Sequence, residues 1–233
     1  MNYIILAAGK GTRLYPYTVN LPKSLLKLNN KQTILQRTIN IIRESDKTAK
    51  IYTVVGFKIN EFISTTKGCD FIENPFYKIT NSIASLWFAK EFLNDETVVL
   101  NSDIVFNKQL LRIILNCPKK AFVAIDTSIK QDGDYNAQIN NDQIVIMGKD
   151  LKEYHGEYAG ITKLDKHTAK ILKNEIISMV NDGLYNEWYE NALVQLIINF
   201  KIKLEYIDIK DFEWAEIDTI NSFLKARSIK GYM

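Results

Sequence analysis

Short apolar runs of strand length alternate with helical patterns through the first half of the sequence, and this alternation constrains the fold more than any other feature. The runs comprise residues 3–8, 51–56, 97–101 and 121–125. Continuous apolar runs of this length are typical of strands that are buried on both faces. Strands separated by single helices pair in parallel through right-handed crossovers. The pattern therefore predicts an open α/β sheet flanked by helices.

The second half of the sequence has a different pattern. Residues 137–147 are typical of a β-hairpin, and residues 158–162 of a further strand. Two helical patterns follow, at residues 166–178 and 186–200. Because no repeat, low-complexity stretch or linker interrupts the chain, we expect a single domain over residues 1–233 with an elaborated C-terminal part.

The composition excludes several classes of protein. Hydrophobic residues make up 46% and charged residues 24%, which is ordinary for a soluble globular protein. The formal net charge is +3 with both signs mixed along the chain, so no nucleic-acid partner is expected. No uncharged apolar run reaches the ~20 residues of a membrane-spanning helix, and no signal-peptide pattern is present. Since Cys69 and Cys117 lack metal-ligand spacing, neither a zinc site nor a disulfide framework is indicated. We expect a cytoplasmic protein without a membrane partner.

The loop after the first strand carries the most informative motif. Residues 6–13 read Leu-Ala-Ala-Gly-Lys-Gly-Thr-Arg, and ligands of such sheets bind beyond the carboxyl ends of the strands. Glycines allow several backbone N–H groups to approach one anion, and Lys10 and Arg13 add charge that suits phosphate. A long loop then returns a second cation, Lys23. The spacing matches neither a P-loop nor a dinucleotide fingerprint, and a purely structural glycine turn remains the alternative.

This loop and the Pro-Lys pair that ends at Lys23 resemble the signature of the nucleotidyltransferase (NTP transferase) family, which joins nucleoside triphosphates to small phosphorylated metabolites. The resemblance implies a Rossmann-like, mostly parallel mixed sheet flanked by helices, of the nucleotide-diphospho-sugar transferase type. It implies a nucleotide-binding half, residues 1–130, and an acceptor-binding half, residues 131–233. It also implies that Arg13 and Lys23 neutralise phosphates. The loop residues expected to bind the nucleotide are Leu6, Ala7, Ala8, Gly9, Lys10, Gly11 and Thr12.

Two groups of carboxylates are candidates for a metal site. Asp103 follows a buried strand, where a carboxylate facing phosphates would need an intervening cation such as Mg²⁺. Glu216 and Asp218 would share one face of an extended segment. The structural alternatives are a turn aspartate at Asp103 and a helix cap at Asp218 or Thr219. The family resemblance implies that Asp103 binds Mg²⁺, with Asp218 or Glu216 as a second ligand.

Further segments narrow the resemblance to phosphocholine and aminoethylphosphonate cytidylyltransferases. They are residues 74–86, 148–149, 156–161 and 214–218. This similarity implies CTP as the donor. It also implies that Asn81 and Ser82 contact the nucleotide, whereas the alternative for this pair is a helix N-cap. The acceptor-site candidates are Lys149 for the acceptor phosphate and Glu157, Tyr158 and Trp188 for the rest of the acceptor.

The identity of the acceptor depends on one departure from that pattern. Choline-specific members commonly have Asn-Asn-Ile-Tyr-Ser where residues 81–85 read Asn-Ser-Ile-Ala-Ser. The chain thus lacks an aromatic ring that a quaternary ammonium would favour. A related branch converts L-glutamine phosphate to CDP-L-glutamine for the phosphoramidate decoration of bacterial capsules. We therefore favour L-glutamine phosphate over phosphocholine or aminoethylphosphonate.

The predicted chemistry is attack by an acceptor phosphate oxygen on the α-phosphorus of CTP with release of pyrophosphate. Because a phosphate monoester has its second pKa near ~6, the nucleophile is anionic at neutral pH and needs no general base. Catalysis then depends on positioning and charge neutralisation, with Lys23, Arg13 and Lys149 as the catalytic candidates. Two alternatives remain: a sugar-1-phosphate nucleotidyltransferase that uses UTP or dTTP, and a nucleotide-binding regulator without catalysis. A homo-oligomer is compatible with the sequence but is not specified by it.

Overall fold

The first apolar run of the chain forms a strand inside a nine-stranded sheet. The structure is a computed structural model and describes residues 1–29, 32–129 and 135–229. Within these residues the strands are β1 (Asn2–Ala7), β2 (Lys50–Val55), β3 (Asp70–Glu73), β4 (Thr97–Asn101), β5 (Ile104–Phe106), β6 (Ala121–Asp126), β7 (Asn136–Asn140), β8 (Gln143–Gly148), β9 (Gly156–Leu164), β10 (Glu205–Asp208) and β11 (Trp214–Glu216).

Helices cover both faces of this sheet. They are α1 (Ile34–Ser45), α2 (Ile59–Thr65), α3 (Ser82–Phe88), α4 (Lys108–Asn116), α5 (Lys166–Asn181), α6 (Tyr189–Phe200) and α7 (Ile220–Ser228). Among the residues that the structure describes, no helix is long and apolar enough to cross a membrane.

The strand order is β3-β2-β1-β4-β9-β6-β10-β8-β7. Strands β1 to β4 are mutually parallel, as are β6 and β10, whereas β8 and β9 run in the opposite direction. The predicted α/β fold with a mixed sheet and flanking helices is confirmed. The antiparallel strands come from the second half of the chain, where the sequence pattern changes.

Alternate residues of β1 pack into two separate cores, which explains why the run is apolar throughout. Ile4 belongs to the core formed with α3, α5 and α6. Tyr3 and Ile5 belong to the core formed with α1, α2 and α4. All three side chains are completely buried. A strand with helices on both faces has no exposed side, so it shows no alternation of polar and apolar residues.

The two halves of the chain share one sheet. Strand β9 lies between β4 and β6, and it forms antiparallel ladders with both. This interleaving gives a single domain, as predicted. The expected boundary between the two halves, at residues 130 and 131, lies outside the described residues.

Helix α6 begins later than the sequence pattern predicts. The pattern extends over residues 186–200, whereas the helix begins at Tyr189. The backbone carbonyls of Tyr185 and Glu187 accept hydrogen bonds from Asn81 and Ile83 at the start of α3. Because these carbonyls bind another element, residues 185–187 do not form a helical turn. The contact places the beginning of α6 against the beginning of α3.

A two-stranded ribbon, formed by β5 and β11, completes the region around the site. Trp214, Ala215 and Glu216 pair antiparallel with Phe106, Val105 and Ile104. A small apolar cluster joins this ribbon to α7 and to the loop that follows β1; its buried members are Leu14, Leu28, Ile34, Val105, Ala215, Ile217, Ala226 and Ile229. The ribbon and its cluster therefore bring β11 and α7 against the loop that follows β1.

Candidate active site

A cleft of about 310 Å³ opens at the carboxyl ends of β1 and β4. Its walls come from the glycine loop after β1, the beginning of α3, the residues after β4 and the beginning of α6. The predicted site residues that line it are Leu6, Ala7, Ala8, Gly9, Gly11, Thr12, Arg13, Lys23, Asn81, Ser82, Asp103, Trp188 and Glu216. The cleft thus lies where ligands of open α/β sheets bind.

Gly11 allows the glycine loop to pack closely against Lys23. Its φ is +62°, a conformation that residues with a Cβ rarely adopt. A Cβ added at Gly11 would lie 2.9 Å from the Cβ of Lys23. The Thr18 hydroxyl donates a 2.6 Å hydrogen bond to the Gly11 carbonyl. Glycine at this position therefore serves the close approach of Lys23 to the cleft.

Lys23 lies between two of the predicted metal ligands. Its Nζ is 2.6 Å from Oδ2 of Asp103 and 2.9 Å from Oδ1 of Asp218. Arg13 Nη1 lies 3.0 Å from Oδ2 of Asp218. Burial disfavours the charged ammonium, but the two carboxylates outweigh this effect and raise the pKa of Lys23. The lysine is therefore fully charged at neutral pH.

The ribbon explains how residues more than 100 positions apart meet. Pairing of β11 with β5 places Glu216 opposite Ile104. The Ile217 N–H then donates a 3.0 Å hydrogen bond to the carbonyl of Asp103. Thr219, and not Asp218, caps α7, and it does so in a capping box. The carboxylate of Asp218 is therefore not used as a cap and binds Lys23.

The carboxylates of Asp103, Glu216 and Asp218 fit a divalent cation. One oxygen from each lies within 4.8 Å of the others. Oδ1 of Asp103 is buried and has no hydrogen-bond partner, although its other oxygen binds Lys23. Carboxylate oxygens are the protein ligands that Mg²⁺ prefers, usually together with phosphate oxygens and water. The donor set is therefore suited to Mg²⁺.

Asn81 and Ser82 have structural roles and also line the cleft. The side chain of Asn81 accepts a 2.8 Å hydrogen bond from the Ser82 N–H and caps α3. The Ser82 hydroxyl accepts a 2.9 Å hydrogen bond from the N–H of Tyr189, at the start of α6. The capping alternative of the sequence analysis is therefore observed at Asn81. Both residues also line the cleft, so their role in capping is compatible with a contact to a nucleotide.

The predicted acceptor residues are dispersed. Trp188 lines the cleft, and the Lys149 ammonium lies 3.6 Å from the centroid of its ring. Tyr158 is buried in the core, where its hydroxyl bonds to Tyr189 and Thr162. Glu157, next to it on β9, is not among the cleft-lining residues, and neither is Lys10. The structure thus separates Trp188 from Tyr158, which the sequence analysis grouped together.

Glu190 is a cleft residue that the sequence analysis missed. It lies in the first turn of α6, lines the cleft and is only 2% exposed. Burial raises the pKa of its carboxyl to about 8, against the lowering effects of a backbone N–H and the Asn101 side chain. In sequence, a glutamate in the first turn of an amphipathic helix resembles an ordinary helix-end charge. Nothing in the local pattern distinguishes it.

The raised pKa predicts that Glu190 makes the free energy of unfolding pH-dependent. Between pH 4.5 and 8 the unfolded chain ionises this carboxyl while the folded protein keeps it protonated, so stability falls as the pH rises. Glu190→Gln removes this loss. Relative to wild type, we expect the variant to gain up to about 5 kcal/mol of stability over that interval.

Urea unfolding at pH 5, 6.5 and 8 measures this difference. Glu187→Gln is the matched control, since Glu187 lies near the start of the same helix, is only half-buried and does not line the cleft. A difference between the Glu190 variant and wild type that does not change with pH would contradict the prediction.

Comparison with known proteins identifies the family. Residues 2–136 match the family model described as nucleotidyl transferase. The match extends from β1 through β6 and includes the glycine loop, Lys23 and Asp103. The chain therefore belongs to the nucleotidyl transferase family.

Two curated relatives illustrate the range of similarity. The chain is 33% identical over 184 residues to the bifunctional protein GlmU of Methanococcus maripaludis, covering 76% of this chain and 43% of that protein. The chain thus spans less than half the length of that relative. It is 27% identical over 250 aligned positions to the CTP:phosphoglutamine cytidylyltransferase of Campylobacter jejuni, covering 94% of this chain and 96% of that protein.

A solved structure has the same fold. The CTP:phosphocholine cytidylyltransferase of Streptococcus pneumoniae superposes with a TM-score of 0.79 over 97% of each chain, at 22% sequence identity. At this identity the likeness is one of fold. It agrees with the predicted nucleotide-diphospho-sugar transferase type.

Proposed function

We propose that the protein is a Mg²⁺-dependent cytidylyltransferase that transfers CMP from CTP to L-glutamine phosphate and releases pyrophosphate. The observation that carries the proposal is the position of Lys23 between Asp103 and Asp218 at a cleft bordered by the glycine loop. Phosphoryl transfer is catalysed mainly by positioning and by electrostatic stabilisation, and a lysine beside a group of carboxylates that could hold a metal ion is suited to both. The full-length similarity to a phosphoglutamine cytidylyltransferase supports CTP and this acceptor.

In this proposal the protein acts by positioning and by charge. The glycine loop binds the triphosphate through backbone N–H groups, and Arg13, which is about half exposed, reaches the leaving pyrophosphate from the rim. Lys23 offsets charge on the phosphates. Mg²⁺ held by Asp103, Glu216 and Asp218 would neutralise phosphate charge in the same place.

The acceptor supplies its own nucleophile. An acceptor phosphate oxygen is already anionic at neutral pH, so no side chain has to remove a proton. Lys149, beside Trp188, is the cation that we assign to the acceptor phosphate. Its long side chain can leave the face of the ring to contact an anion, since an exposed cation–π contact contributes only about 0.5–1 kcal/mol.

A screen of nucleotides against acceptors tests the proposal. We expect pyrophosphate release with CTP and L-glutamine phosphate, and much slower release with UTP, dTTP or ATP. Activity with CTP and phosphocholine instead would identify the runner-up acceptor. Activity with UTP or dTTP and a sugar 1-phosphate would contradict the assignment of the donor. Absence of release with every pair would favour a regulatory nucleotide-binding protein.

A further inference from the structure

Glu190 presents a buried, incompletely bonded carboxyl group to the cleft. The residue lines the cleft wall and is 2% exposed, and its Oε2 has no hydrogen-bond partner. Burying a polar atom without a partner costs roughly 1–3 kcal/mol. A buried polar atom without a partner calls for an explanation, and beside a ligand cleft a partner supplied by the ligand is such an explanation.

The surroundings of Glu190 define what that partner is. The side chain of Asn101 already hydrogen-bonds to the carboxyl group of Glu190. The negative charge of Asp103 raises the pKa of this carboxyl, and the positive charge of Lys149 lowers it. Among the described residues, no lysine or arginine forms an ion pair with Glu190. Burial and the negative charge of Asp103 both disfavour the ionised form of this carboxyl, and a cation bound beside it would offset both effects. The missing partner is therefore a cationic hydrogen-bond donor.

The position of Glu190 assigns this partner to the acceptor. Glu190 lies on α6, in the second half of the chain, whereas the glycine loop follows β1. Asn101 holds it from the end of β4, next to Asp103. Gly160 leaves room for Asn101, since a Cβ there would lie 3.0 Å from the amide nitrogen of Asn101. Glu190 is also close enough to Lys149 for the charge of that lysine to act on it, and Lys149 is the cation assigned to the acceptor phosphate.

The neighbouring aromatic ring does not offer a free site for a quaternary ammonium. Trp188 stacks on Tyr135 with a centroid distance of 5.5 Å, and Lys149 lies over the same ring. A quaternary ammonium has no N–H group to donate, so it would leave Oε2 of Glu190 without a hydrogen bond. A primary ammonium donates up to three.

We propose that Glu190 binds a primary ammonium group of the acceptor, so that the site selects phosphorylated amines or amino acids over quaternary ammonium compounds and sugar phosphates. This inference rests on the proposed function, because it concerns the acceptor of that reaction. It makes Glu190 a specificity-determining residue. L-glutamine phosphate, with its α-ammonium group, belongs to the selected class.

The test compares wild type with Glu190→Gln. Pyrophosphate release is measured with CTP and either L-glutamine phosphate or its counterpart that lacks the α-amino group. A charge-assisted hydrogen bond corresponds to roughly 10- to 100-fold in affinity. We expect the substitution to raise KM for L-glutamine phosphate by this factor and to leave KM for CTP and for the desamino compound unchanged. Glu190→Asp, which keeps an ionisable carboxyl group, should restore part of the preference.

Two outcomes would overturn the inference. One is an equal change of KM for both acceptors in Glu190→Gln, and the other is an effect confined to the KM of CTP. Circular dichroism and thermal melting verify that the variants fold. Glu187→Gln is the matched control, since Glu187 binds Asn191 and does not line the cleft.

A binding measurement separates this inference from the proposed function. If wild type releases no pyrophosphate with any CTP–acceptor pair, the proposed function fails. Calorimetric titration with phosphoethanolamine and phosphocholine then tests Glu190 alone, because the two differ only in the methyl groups on nitrogen. We expect wild type to prefer phosphoethanolamine and Glu190→Gln to lose that preference. Equal binding of both compounds to wild type would refute the assignment.

Discussion

Replacing Asp103 with asparagine is expected to abolish Mg²⁺-dependent pyrophosphate release. Asp103 belongs to the acidic group that it forms with Glu216 and Asp218. Its Oδ2 binds Lys23, and its Oδ1 is buried without a hydrogen-bond partner. Asparagine has nearly the same shape but no negative charge, so the fold should be retained. Because a metal ion contributes several kcal/mol to such a reaction, we expect a loss of at least roughly 10³-fold.

Metal binding gives a second measurement of the same variant. Calorimetric titration with Mn²⁺, in place of Mg²⁺, should show weaker binding to Asp103→Asn than to wild type. Asp211→Asn is the control, since Asp211 is an exposed aspartate outside the site. Full activity in Asp103→Asn, with metal affinity unchanged, would remove Asp103 from the metal site.

Lys23→Ala is expected to lower turnover by roughly 10²–10³, the usual loss for one electrostatic stabiliser. The lysine is held by two carboxylates and its side chain is only 14% exposed, so solvent cannot replace its charge. In the proposed reaction Lys23 offsets the negative charge of the phosphates from inside the cleft. Arg13 lies on the exposed rim, where solvent weakens its effect. Steady-state kinetics of pyrophosphate release provide the measurement.

The same variant should bind metal at least as tightly as wild type. Removal of the ammonium leaves Asp103 and Asp218 without their shared cation, and a divalent ion then meets less competition. This result would distinguish Lys23→Ala from Asp103→Asn, in which both metal binding and turnover fall. Lys27→Ala, an exposed lysine of the same loop, is the control. Turnover near the wild-type rate in Lys23→Ala would exclude Lys23 from the site.

The glycine loop and the buried strands could be predicted because their signals are local. The apolar run at residues 3–8 reflects burial on both faces, and β1 is observed at Asn2–Ala7. The predicted hairpin is observed as β7 and β8, with Asn141 and Asp142 at positive φ in the turn. Both signals come from residues adjacent in sequence, so a single pattern specifies them.

The start of α6 and the role of Glu190 could not be predicted because they depend on other elements. The predicted helical pattern begins at residue 186, but the carbonyls of Tyr185 and Glu187 accept hydrogen bonds from the start of α3. The carboxyl of Glu190 differs from any other glutamate only in its burial beside Asn101 and the cleft. Tyr158 and Trp188 are both aromatic, yet the structure places one in the core and the other at the cleft.

The sequence by itself determined the α/β class, the strands that end at the ligand edge, and the residue types that suit phosphate and Mg²⁺. These properties follow from periodicity and from side-chain chemistry, which neighbouring residues express directly. Only the tertiary structure decided which of these groups meet. The ribbon of β5 and β11 brings Asp218 to Asp103 and Lys23, because hydrogen bonds join strands that are far apart in sequence. Such long-range pairing depends on the packing of the whole domain, and no local pattern encodes it.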